Sequence, residues 1–125
     1  MQDISGIPEE GQQLVNSYGD GGFRISGVRY DGNIIVLPNA TSVWDIGSIE
    51  DLTVEALEPI INAVPAVEIL LIGCGANMAF IDEGVRRALR TKGITIDSMD
   101  SGAAVRTYNV LLLEKRRVAA ALIAF

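Results

Sequence analysis

The chain has 125 residues, 49% of them apolar and 21% charged, which suits one domain with a single core and excludes a disordered chain. It contains no histidine, so Ser-His and Cys-His dyads, imidazole metal sites and a default titrating group near neutrality are all removed. A formal charge of −6 opposes generic binding to nucleic acid, whose affinity comes mainly from neutralising phosphates.

In chain order, Gln12 to Tyr18 reads as a first strand, broken by the run Gly19-Asp20-Gly21-Gly22. Phe23, Ile25, Val28 and Tyr30 alternate imperfectly, which predicts one strand with a bulge near Gly27. Asp31-Gly32 is a tight-hairpin signal, with a return strand over Asn33 to Leu37 that Pro38 and Asn39 end. Thr41 to Ile46 adds a short strand around Trp44, so the opening third is expected to be an antiparallel meander, residues 12–46.

The apolar period then changes from two to about 3.6. Thr53 is placed to cap a helix whose face is Val54, Leu57, Ile60, Ile61 and Val64, with Pro59 predicting a kink or early break and Pro65 closing it. Val67 to Ile72, interrupted by Glu68, has the continuous apolar character of a strand covered on both faces. Asp82 and Glu83 open a helix with Val85, Ala88 and Leu89 on its apolar stripe, Arg90 and Lys92 near its end, and Gly93 as its stop. Ile94 to Met99 returns as a strand, so a right-handed parallel crossover is expected. Asp100 or Ser101 caps a helix to about Leu113, and Val118 to Ala124 is a last strand. The expected fold is α/β in three layers: a mixed central sheet, flanking helices, and an additional N-terminal antiparallel β layer. It forms one domain over residues 1–125, with the α/β part at about 52–125.

Three segments carry a resemblance: Gly22-Phe23-Arg24-Ile25 on to Gly32, Glu68 to Ala76, and Met99 to Ile123. The most specific piece runs Met99-Asp100-Ser101-Gly102-Ala103-Ala104-Val105-Arg106-Thr107-Tyr108-Asn109. Over about residues 14–124 the chain resembles a family of small domains of unknown function that includes mitochondrial complex I assembly factor 3 and an adipogenesis-associated protein. The resemblance implies the same three-layer fold with a mixed sheet, and it implies no reaction and no catalytic residues.

The candidate ligand- or partner-binding residues are Gly73, Cys74, Gly75 and Asn77 after the apolar strand, with Asp100, Ser101, Arg106, Thr107, Tyr108 and Asn109 at the start of the last helix. Open α/β sheets bind ligands beyond the carboxyl ends of their strands, where the glycine loop is expected. As a dinucleotide fingerprint the loop fails, because Met78 stands where a third glycine belongs. Cys74 between two glycines is an activated thiolate or a small buried residue in a tight turn. Arg106 either pairs with Asp97 or Asp100 or joins amides near Ser101 in holding a small anion. Arg86, Arg87, Arg90 and Lys92 read as an exposed basic helix face, and Lys115, Arg116 and Arg117 as an exposed turn.

These residues support a non-enzymatic interaction domain with a protein partner, assembly-factor-like toward a larger, respiratory-type complex. The alternative is a small-anion or metabolite-binding protein, or a minor enzyme, using a cleft between residues 73–77 and 100–109. A third reading is self-association through strand edges. No cofactor, metal, nucleic acid or membrane insertion is expected. The acidic first ten residues, with Asp3, Glu9 and Glu10, and the lone Cys74 point to a cytoplasmic location.

Overall fold

The computed structural model describes residues 10–125; Asp3 and Glu9, used above in reading the first ten residues, lie outside them. Two-residue turns in left-handed backbone build the first sheet. Strands β1 (Val15–Gly19) and β2 (Gly22–Ile25) are joined through Asp20 and Gly21, at φ 55° and 77°. β2 and β3 (Val28–Asp31) are joined through Ser26 and Gly27, at 47° and 86°. Two positive φ values match the twist of a tight hairpin, so residues 23–30 form a hairpin where one bulged strand was expected. The irregularity in register lies instead between Val15 and Ser17.

Asp31-Gly32 is likewise not a hairpin turn. It carries the chain out of the β1-β2-β3 sheet into a second sheet of order β5-β4-β8-β6-β7, with β4 at Ile34–Leu37 and β5 at Ala40–Val43. The antiparallel meander therefore stops at Asp31, short of residue 46. Asn33 holds this crossing: its side chain donates to the Ile46 carbonyl at 3.0 Å and accepts from the Ala124 amide at 2.7 Å.

Two single 3-10 turns follow, Ile49–Asp51 and Glu55–Leu57, then the short helix α1 (Glu58–Ile61). Thr53 Oγ1 accepts from the Ala56 amide at 3.2 Å, but the residue at the cap position of the second turn is Val54, one place later than expected. Pro59 sits in the first turn of α1, where its missing N–H costs nothing, so the predicted long helix is broken into short pieces that end before Val64.

Strand β6 (Ile69–Gly73) runs parallel to β7 (Thr95–Met99) and to β8 (Val118–Leu122), and β8 pairs antiparallel with β4. Helix α2 (Glu83–Arg90) connects β6 to β7, and α3 (Ser101–Leu113) connects β7 to β8. The first connection steps one way along the sheet and the second steps back past β6. Crossovers of one hand then place α2 and α3 on opposite faces.

Alternation along the strands fills both faces. Ile35, Leu70, Ile72, Ala119 and Ala121 join Leu57, Ile60, Val85 and Leu89 in one core. Ile34, Val36, Leu71, Ala120 and Leu122 join Phe23 and Ile25 of the small sheet and Ala104, Val105, Tyr108 and Leu112 of α3 in the other. The result is three layers: α1 and α2, the mixed five-stranded sheet, and α3 with the antiparallel three-stranded sheet. At the outer edge, the Arg86 guanidinium donates to the β7 carbonyl of Ile96 at 2.9 Å and to Ser98 Oγ at 3.1 Å. Arg86 is thus half-buried and leaves the basic face expected of it, covering an open strand edge.

Candidate functional site

The three parallel strands end together, and Gly73, Cys74, Gly75, Asn77, Asp100 and Ser101 gather at that end, while Tyr108 and Asn109 lie farther along α3 against the small sheet. Gly73 closes β6, and a Cβ there would stand 2.7 Å from Ser101 Oγ, 2.8 Å from Ser101 Cα and 2.9 Å from Leu122. Only glycine lets the start of α3 come this near. The approach is then pinned by hydrogen bonds. Cys74 N–H donates to the Met99 carbonyl at 2.8 Å, Ser101 N–H to the Gly75 carbonyl at 2.8 Å, and Ile123 N–H to the Gly73 carbonyl at 2.9 Å.

Ser101 is fully buried; its hydroxyl accepts from the Gly75 amide at 2.9 Å and donates to the Ile123 carbonyl at 2.6 Å. The cap of α3 is accordingly Asp100, whose carboxylate accepts from the Ala103 amide at 2.8 Å. Among the described residues no buried side-chain nitrogen or oxygen lacks a partner, as interiors require.

Further along α3 the polar side chains turn toward the small sheet. Asn109 treats β1 as a neighbouring strand: its Oδ1 accepts from the Val15 amide at 3.0 Å and its Nδ2 donates to the Val15 carbonyl at 2.8 Å. Tyr108 is fully buried and donates to the carbonyls of Gln13 at 2.9 Å and Leu37 at 3.3 Å. Burial pushes its phenol well above the ordinary value. Thr107 Oγ1 lies 3.7 Å from the Met99 sulfur. Exposed Arg106 donates to the Tyr18 hydroxyl at 2.8 Å, in place of the pairing with Asp97 or Asp100 that was one of its two expected roles. Tyr18 reaches there because Gly102 is small; a Cβ at Gly102 would lie 3.1 to 3.3 Å from its ring and hydroxyl.

Cys74 is buried, and loss of hydration pushes its thiol up, which disfavours the nucleophilic thiolate. Asn77 is exposed. The loop that carries it also presents Met78, 66% exposed, and Phe80, 100% exposed. Tyr18 and the Phe125 ring, 5.8 Å apart between centroids, are 39% and 43% exposed beside α3.

These four apolar side chains were not among the sequence candidates. The signal for two of them was Met78 and Phe80 lying outside any periodic face, between a glycine turn and the Asp82 cap. Tyr18 and Phe125 had no local signal. Among the described residues no cluster of three or more Cys, Asp or Glu is arranged to hold a metal ion, and no helix is long and apolar enough to cross a membrane.

The fold recurs in known proteins. A crystal structure of a Bordetella parapertussis protein superposes with a TM-score of 0.86 at 31% identity, covering 94% of this chain and all of that one. A crystal structure described as an outer membrane protein of Bartonella henselae gives 0.84 at 38% identity, covering 91% and 96%. NADH dehydrogenase [ubiquinone] 1 alpha subcomplex assembly factor 3 of Danio rerio is 37% identical over 110 residues, which are 88% of this chain and 63% of that protein. The chain thus spans about three-fifths of the length of that relative. Residues 15–123, from β1 to just past β8, match one family model, and the chain belongs to that family, described as protein of unknown function (DUF498/DUF598).

Proposed function

We propose that this chain works by binding rather than by catalysis, as an assembly-factor-like domain that holds a protein partner during construction of a larger, respiratory-type complex. The observation that carries the reading is the likeness over nearly the whole domain to proteins named as complex I assembly factors. Two features of the chain accord with it: the absence of histidine from the sequence, and the protonated, buried state of Cys74.

The contact surface in this reading is the carboxyl end of the parallel strands. Gly73, Cys74, Gly75, Asp100 and Ser101 serve as its rigid support, since their backbone or side-chain polar groups are tied within the protein, and Tyr108 and Asn109 fasten α3 to the small sheet farther along. Asn77, Arg106 and Thr107 offer polar contacts, with Met78 and Phe80 as apolar anchors. Exposed apolar side chains with polar neighbours are the usual make-up of a binding patch.

The test removes the protein from its own cells and measures assembled NADH dehydrogenase on native gels. Loss of the full complex, restored by the parent protein and not by a folded Met78→Ser/Phe80→Ser variant, is the expected result. Unchanged assembly without the protein would refute the assembly role. Full rescue by the variant would refute the surface.

A further inference from the structure

We infer that the opposite end of the sheet, at the amino ends of β6 and β8, carries a pocket for a small organic anion with an apolar body. This goes beyond the partner-binding reading and does not depend on it. The pocket has a volume of about 190 Å³ and lies between the β4–β5 turn, residues 63–67 and the α3–β8 turn. Its walls are Leu37, Pro38, Val67 and Leu112, of which Val67 and Leu112 are also buried core residues; Val64, 85% exposed, stands at its mouth.

The rim is supplied by Lys115, Arg116 and Arg117, three successive cations in a chain whose net charge is −6. Glu68 orients two of them, accepting from Arg117 Nη2 at 3.1 Å and Arg116 Nε at 3.3 Å. Arg116 and Arg117 less the Glu68 carboxylate leave a formal +1 beside the pocket. Each guanidinium has five N–H donors, so the one given to Glu68 leaves others for an incoming oxyanion.

Chemistry selects the occupant. An inorganic anion would satisfy the rim and leave the apolar walls wet, while a neutral hydrocarbon would fill the walls and forgo the charge-assisted hydrogen bonds. A short-chain carboxylate does both. The volume is below the ~300–1,000 Å³ of pockets for drug-sized ligands, which limits the apolar body to a few carbons.

Hexanoate, hexan-1-ol and inorganic phosphate, titrated into 15N-labelled protein, distinguish these terms. The expected result is saturable shifts at the amides of Val64, Val67, Leu112 and Arg117 with hexanoate, binding at least tenfold weaker with hexan-1-ol, and none with phosphate. Ala66→Trp, at an exposed position on the lining, should abolish the hexanoate shifts while the remaining spectrum stays that of the folded parent. Arg116→Gln with Arg117→Gln should weaken binding about tenfold. Equal binding of hexanoate and hexan-1-ol, equal binding of phosphate, or saturation by an acidic peptide with hexanoate silent would each overturn the proposal.

Discussion

At the scale of single residues, two glycines, Gly73 at the end of β6 and Gly102 in α3, make opposite demands. At Gly73 an added Cβ meets Ser101 Cα, which is backbone and cannot swing aside. At Gly102 it meets the end of the Tyr18 side chain, which can. Gly73→Ala should therefore cost about 1–3 kcal/mol, the usual range for overpacking, with Gly102→Ala well under half of that. Urea denaturation of both variants checks the order, and equal costs would show that Ser101 is not held in place. The buried thiol and phenol make a second prediction. Both acids are harder to ionise in the folded protein, Cys74 and Tyr108 alike by desolvation. Below about pH 8.5, the ordinary thiol value, both states keep the Cys74 proton and its contribution to stability is whole. As pH rises beyond that the unfolded chain loses its proton first, and stability falls; Tyr108 adds to the fall above about pH 10. Urea midpoints from pH 7 to 11 should decline in this order, and Cys74→Ala should remove the earlier part. A flat profile would refute it.

At the scale of elements, one side chain of α3 pairs with the small sheet as a strand would, beside the Arg106–Tyr18 hydrogen bond and the packing of Phe23 and Ile25. Asn109 pairs with both backbone groups of Val15, the residue that opens β1. Replacement by Leu, of similar size and without polar atoms, leaves a donor and an acceptor of Val15 unmatched, at a cost of about 1–3 kcal/mol. The expected signature is local: hydrogen exchange accelerates in β1 and β2 and stays unchanged in β6 and β8. Uniform acceleration would instead mean that the two sheets unfold as one unit. The elements themselves were largely legible beforehand. Alternation and turn residues located β4, β6, β7 and β8, and Asp82, Arg90 and Gly93 bounded α2 to within a few residues, because caps and periods are properties of neighbouring residues. The hairpin at Ser26-Gly27 was missed because the change of alternation there fits a bulge as well as a turn, although Ser-Gly is a turn dipeptide; the Asp31-Gly32 signal misled because a turn motif does not say which sheet receives the next strand.

At the scale of the whole molecule, β8, the last of these strands in chain order, lies at the centre of the five-stranded sheet, between β4 and β6. Its run Val118-Ala119-Ala120-Ala121-Leu122 is fully buried, and the three alanines leave room for the layers on both faces. Removing residues 118–125 should abolish cooperative unfolding altogether, since β4 and β6 would each lose a ladder partner. A sigmoidal urea transition in the truncated chain would sink this view. The same topology puts two unlike surfaces at the two ends of the parallel strands, the glycine loop with Met78 and Phe80 at one and the Arg116–Arg117 rim at the other.

The sequence alone determined what chemistry is missing, through its lack of histidine, and it determined most of the local elements, since both follow from residue identity and short-range spacing. It also singled out residues 99–109. Only the tertiary structure decided that Arg106 meets Tyr18, that Asn109 serves β1, that β4 joins β8, and that Leu37, Val67 and Arg117 share a pocket. Those pairs are separated by dozens of residues, and long-range pairing depends on how whole faces pack rather than on any pattern within a segment.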